Sequence, residues 1–218
     1  GSEMCIRDRL CGDCNYILCL IILGYILMGI LYKCGVKYYS VIQWLFLIIA
    51  IVIVLIKDKG ILNLGFSKEN LKRNLLFSGI IVAISIIFAF LYTERSDSVI
   101  VKSVLYYLFY VAFQEEVIFR GFIQNYLFGL CINRKVIYIT GAIFFSLAHL
   151  PFQMFVNNMV DFSYIIVAIP QLVFTFVFHI VMCFITYKRK DILIPVSLHF
   201  AIDFVPVSYT HLTLPTNS

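Results

Sequence analysis

Apolar runs of about membrane-spanning length, broken by short charged loops, constrain this 218-residue chain more than any other feature. An α-helix needs about 20 apolar residues to cross the hydrocarbon core of a bilayer. The runs extend from about Tyr16 to Tyr32, Tyr38 to Ile56, Leu75 to Tyr92, Val99 to Leu130, Val136 to Leu150, Tyr164 to Tyr187 and Ile192 to Val207. The fourth carries charges in its middle, the fifth ends at Pro151, and Pro170 stands near the start of the sixth. The fold class this predicts is all-α, a polytopic transmembrane helix bundle of about seven helical segments. Between the second and third runs, Ser67-Lys68-Glu69-Asn70 reads as an N-cap opening a short amphipathic helix at the membrane surface.

Composition excludes the soluble alternative. The chain is 62% hydrophobic and 13% charged, against about 25% charged in a soluble domain. One aqueous core of this size could not hide so much apolar surface, so the lipid bilayer is the expected surrounding. The net charge of +5 would suit nucleic acid. The cations, however, sit at the borders of the apolar runs, as in Lys57-Asp58-Lys59, Lys72-Arg73, Arg134-Lys135 and Lys188-Arg189-Lys190. That is the pattern of membrane-flanking charge, and no nucleic-acid partner is expected. Its bias towards the loops after the second, fourth and sixth runs puts those loops and the N-terminus on the cytoplasmic side.

Of seven cysteines, Cys11 and Cys14 have CxxC spacing but no second pair to complete a zinc site and no βαβ setting for redox chemistry. The cysteines read as small buried hydrophobes. The two ends differ from the middle: Gly1 to Arg9 and Val207 to Ser218 are polar and lack helical periodicity. Both resemble translated adapter sequence and are set aside from fold reasoning. The expected organisation is a non-native segment at 1–10, N-terminal transmembrane helices at 11–98, a catalytic core at 99–206 and a second non-native segment at 207–218. On this reading the chain is truncated partway through its last helix, and His211 has no function.

Charge inside the apolar runs is where chemistry is expected. From Val104 to Tyr187 the only Asp, Glu, Lys and Arg residues are Glu115, Glu116, Arg120, Arg134, Lys135 and Asp161, and the last three lie in loops. A charged side chain at membrane depth costs about 2.5 kcal/mol or more, so it faces a partner or a wet cavity. Glu116 and Arg120, four apart in the acid-first order, can pair on one helical face. Glu115 points about 100° away. His149 ends the fifth run, and His199 and Asp203 share a face of the seventh. His179, alone in the sixth, reads as a satisfied packing histidine. One Glu, two His and an Asp from three helices could deprotonate a water and stabilise an oxyanion. They could equally hold a divalent metal such as Zn2+, with His149, His199 and Asp203 as candidate ligands.

These residues fall into three ordered motifs: Glu115-Glu116-x-x-x-Arg120, Phe145-x-x-x-His149 and His199-x-x-x-Asp203. They resemble the motifs of the CPBP intramembrane proteases, also called the CAAX-protease or Abi family, over roughly Val99 to Phe204. Lys190-Asp191-Ile192-Leu193-Ile194-Pro195 resembles that family's approach to its third motif. The resemblance implies an intramembrane endopeptidase acting on membrane-embedded or membrane-associated peptides or proteins. In it Glu115 would activate water with help from His149, His199 and Asp203 would stabilise the oxyanion, and Glu116 with Arg120 would brace the site. The family's third motif often ends in Asn. Asp203 cannot donate a hydrogen bond unless protonated, which suits it to orienting His199 or to ligating a metal.

Ile-, Lys-, Phe- and Tyr-heavy usage suggests an AT-rich bacterial genome, and hence a bacterial cytoplasmic membrane. Bacterial relatives are linked to bacteriocin self-immunity and peptide-pheromone processing. The alternatives are a catalytically silent immunity or partner-binding protein of the same family and, behind it, a proton-coupled transporter.

Overall fold

The computed structural model describes residues 19–57, 60–68, 70–93, 95–128 and 133–210. Most of both adapter-like segments, together with Cys11, Cys14 and His211, lies outside the described residues. Helix α1 is Cys19–Lys33. It is followed by α2 (Val41–Lys57), a 3₁₀ turn (Ile61–Leu64), α3 (Leu71–Tyr92) and α4 (Asp97–Leu105). The chain then passes through two π-helical segments, Tyr106–Phe113 and Glu116–Ile123, into α5 (Gln124–Phe128). Helices α6 (Arg134–Val156), α7 (Phe162–Arg189) and α8 (Leu193–Thr210) follow. No strand occurs among the described residues. Helices α3, α6 and α7 are long and apolar enough to cross a membrane, and α1, α2 and α8 are shorter apolar helices. The chain is an all-α integral membrane protein.

Three local expectations are corrected. Pro151 does not end its helix: α6 runs on to Val156, and α7 likewise carries Pro170 within it. A proline removes one backbone hydrogen bond, whereas ending the helix in lipid would strand several more. The surface helix expected after Ser67 does not form. Ser67 and Lys68 are non-helical, the Ser67 N–H donates to Asp191 Oδ2 at 3.1 Å, and α3 begins at Leu71 without a side-chain cap from Asn70. Finally, only Cys183 is a buried thiol among the described free cysteines; Cys19 and Cys34 are exposed.

The chain divides into two compact units, residues 1–64 with 118–184 and residues 65–117 with 185–218. In the first, small residues let aromatic rings approach the helices. A Cβ on Gly24 would run into the Phe46 ring, and one on Gly29 into Phe155. Phe152 of α6 stacks on Tyr39 at 5.5 Å and meets Tyr32 edge-on at 6.0 Å. Along α7, Ile166 is 71% and Val167 63% exposed, a surface that suits lipid rather than water.

Asp161 caps α7, accepting bonds from the Ser163 hydroxyl and from the Ser163 N–H at 2.8 Å. The hydroxyl, followed by the N–H, holds its carboxyl below the usual carboxylate value. A depressed folded-state value adds stability above the ordinary value and loses it as pH falls through the depressed one. Amides in the first turn of α7 should therefore lose exchange protection on acidification through that range. Asp161→Asn, which keeps a capping oxygen, should abolish the acid dependence; an unchanged acid response would show that the cap does not act through its charge.

In the second unit, α3, α4, α8 and the first π segment close on Ala89, Ile100, Ala112, Val196, Phe200 and Phe204. Asp191 is fully buried and sets the start of α8. Its Oδ1 accepts from the Leu193 N–H at 2.7 Å, and Ile192 N–H donates to the Gly65 carbonyl at 2.9 Å. With the Ser67 bond, these contacts tie the entry of α8 to the segment before α3. They fix the height at which α8 presents His199 and Asp203.

Candidate active site

Helix α8 turns Val196, Phe200 and Phe204 into the apolar core of the second unit. With 3.6 residues per turn, His199 and Asp203 then share a different face. Gln114 and Glu115 sit at the joint between the two π segments. Closing turns from i to i+5 widens the helix, and such turns recur at functional sites. The 100° spacing expected for Glu115 and Glu116 in a regular α-helix therefore does not hold on either side of this joint.

The second unit brings four of the six expected site residues together. His199 Nδ1 lies 2.8 Å from Glu116 Oε1. Its Nε2 lies 3.3 Å from Asp203 Oδ2 and 3.8 Å from Glu115 Oε2. Glu116 is fully buried, His199 and Glu115 nearly so, and the Asp203 side chain is 33% exposed. One imidazole is thus framed by three carboxylates, and the site opens on the Asp203 side. Ionised carboxylates only accept hydrogen bonds. With Glu116 and Asp203 ionised, both ring nitrogens must donate, and His199 is an imidazolium.

The other two expected residues belong to the first unit. Arg120 is buried, with its guanidinium 4.4 Å from the centroid of the Phe145 ring and 5.3 Å from that of Phe178, a cation–π geometry. His149 stands half-buried on α6 with Nδ1 2.7 Å from the Phe145 carbonyl and its ring edge-on to Phe145 at 4.8 Å. A carbonyl only accepts, so Nδ1 carries the proton and Nε2 is the acceptor of the neutral ring.

His179 is packed as expected, 5.1 Å from the Phe145 ring. It is not satisfied: both ring nitrogens are buried without a hydrogen-bond partner. Two buried polar residues were not singled out for a role, Asp191 and Gln114. An Asp just before an apolar helix is a cap signal that could have found the first. Nothing in the sequence marks the second beyond its place beside Glu115.

Zn2+ fits this donor set poorly. A histidine ligand needs an unprotonated ring nitrogen, and both nitrogens of His199 face carboxylates. Among the described residues no group of three or more His, Cys, Asp or Glu side chains has the geometry to hold a metal ion.

Comparison with protein families matches residues 95–205 to the type II CAAX prenyl endopeptidase Rce1-like family. No curated protein and no solved structure matches the chain. The matched stretch includes Glu115, Glu116, Arg120, His149, His199 and Asp203, and its family is one of CAAX-type intramembrane proteases. The chain belongs to the Rce1-like family of type II CAAX prenyl endopeptidases.

Proposed function

We propose that the protein hydrolyses peptide bonds of membrane-associated peptides or proteins, using water activated by Glu115, in a bacterial cytoplasmic membrane. The observation that carries this reading is the convergence of Glu115, Glu116 and Asp203 on His199, with one edge of the group open. A structural ion pair would need one carboxylate; this imidazole has three.

In the proposed reaction Glu115 takes a proton from water as the oxygen attacks the scissile carbonyl carbon. The carbonyl π electrons move onto oxygen, and the His199 imidazolium stabilises the resulting oxyanion. Collapse breaks the C–N bond, and Glu115 returns the proton to the leaving nitrogen. The products are a carboxylic acid and an amine, with one water consumed. Glu116 holds His199 through Nδ1, and Asp203 orients it through Nε2. His149, a neutral ring with an acceptor nitrogen, helps position the water. Arg120 braces the motif from its seat between two aromatic rings.

The test is turnover by the whole chain in proteoliposomes, using fluorogenic peptides anchored by one acyl chain and run in water enriched in 18O. The expected result is one 18O in each new carboxyl terminus, at a rate indifferent to metal chelators. Cleavage lost to a chelator and restored by Zn2+ would replace the glutamate–water reading with a metal one. No cleavage of any anchored peptide would leave the immunity or partner-binding alternative standing.

A further inference from the structure

We propose that Tyr107 is a second oxyanion donor of this site, an inference that rests on the peptidase reading above. The second unit gives His199 as a donor to a developing oxyanion, but its other polar groups around that ring are carboxylates. Three acceptors close to a forming negative charge oppose it, and one donor is a weak counterweight. A neutral hydroxyl that can reach the open, Asp203 side of the site would correct the imbalance.

Tyr107 meets that description. Its ring packs 6.5 Å from Phe204, the residue after Asp203, and stands edge-on to Tyr106 at 5.2 Å. It is partly buried against the core that holds Phe200 and Phe204. Its phenol feels the Asp203 carboxylate on one side and the Arg95 guanidinium on the other. No hydrogen bond to the phenol occurs among the described residues, so the O–H is available to a substrate.

The π geometry supplies the register. Tyr107 precedes Glu116 by nine residues, and positions nine apart in an α-helix lie on opposite faces. The wide turns at Tyr106–Phe113, bonded i to i+5, bring such positions back towards one side. The first π segment thus has a use: it presents a phenol and two carboxylates to one flank of α8.

Tyr107→Phe tests this in the whole chain, because it keeps the ring against Phe204 and removes only the hydroxyl. With an acyl-anchored fluorogenic peptide in proteoliposomes, kcat should fall about 10²–10³-fold, the usual loss for one oxyanion donor, with KM within about twofold. A peptide aldehyde, whose hydrate mimics the tetrahedral oxyanion, should lose inhibition by the same factor as kcat/KM. Tyr106→Phe, on the neighbouring and more exposed ring, should retain the full rate. Tyr107→Phe turning over at the wild-type rate while Glu115→Gln is dead would overturn the Tyr107 role and leave the peptidase reading intact. Equal loss in kcat and rise in KM, with aldehyde inhibition unchanged, would reduce Tyr107 to packing. No turnover by the wild type would overturn both.

Discussion

Glu115→Gln abolishes peptide cleavage, lowering kcat by about 10³-fold or more, while the protein still inserts and melts at or near the wild-type temperature. The catalytic half follows from the proposed step. A carboxylamide cannot take a proton from water, and a positioned general base contributes about 10²–10⁴-fold. The structural half follows from the geometry. Glu115 lies 3.8 Å from His199, whereas Glu116 and Asp203 hold the same ring at 2.8 and 3.3 Å. Two carboxylates remain to frame the imidazolium, and removing a buried charge relieves a desolvation cost. Glu116→Gln should behave differently, because it weakens the shortest of the three contacts and releases His199, so activity and melting temperature should fall together. A silent immunity or partner-binding protein would tolerate Glu115→Gln in a protection assay, and a proton-coupled transporter would lose pH-driven uptake with no cleavage to lose. Retained turnover in Glu115→Gln would sink the mechanism.

The spans and the site were legible in the sequence for the same reason: in lipid, apolar length and misplaced charge are both expensive to fake. Runs of apolar residues anticipated the helices to within a few residues at most ends, and charge inside one of them pointed to Glu115, Glu116 and Arg120. The errors occur where backbone geometry depends on a distant partner. Pro151 and Pro170 looked like stops because one missing N–H ends many helices in water, but both stay within helices here. Ser67 looked like a cap until its N–H proved to be taken by Asp191, 124 positions away. The π segments have no local signature at all, since any apolar helix can close i to i+4 or i to i+5 and packing decides. Glu116 illustrates the same limit: spacing directed attention to Arg120, whereas its closest printed partner, His199, lies 83 positions away.

Gly121→Ala should destabilise the first unit by about 1–3 kcal/mol, the usual cost of overpacking, and Gly121→Val by more. The residue follows Arg120 in the second π segment and faces the 3₁₀ turn Ile61–Leu64. A Cβ there would collide with the Leu64 carbonyl oxygen and carbon, and would lie 3.4 Å from the Leu64 Cα. The obstacle is backbone, which cannot rotate away as a side-chain end can. The approach is locked by Asn125, whose Nδ2 donates to the Asn63 carbonyl at 2.8 Å and to the Gly121 carbonyl at 2.7 Å. Two consecutive carbonyl-bearing residues of the turn, Asn63 and Leu64, are thus held against the helix that carries Arg120. Moving the turn to admit a methyl group would break at least one Asn125 bond. It would also disturb the backbone beside the guanidinium seated between Phe145 and Phe178. Melting in detergent, read with turnover of an anchored peptide, checks this: Gly121→Ala should lower the melting temperature and lose activity in proportion to the protein unfolded. Asn125→Ala, which removes the lock and not the space, should lower the melting temperature less. Wild-type stability in Gly121→Ala would mean that the turn yields freely and that the close approach does not hold this helix in place.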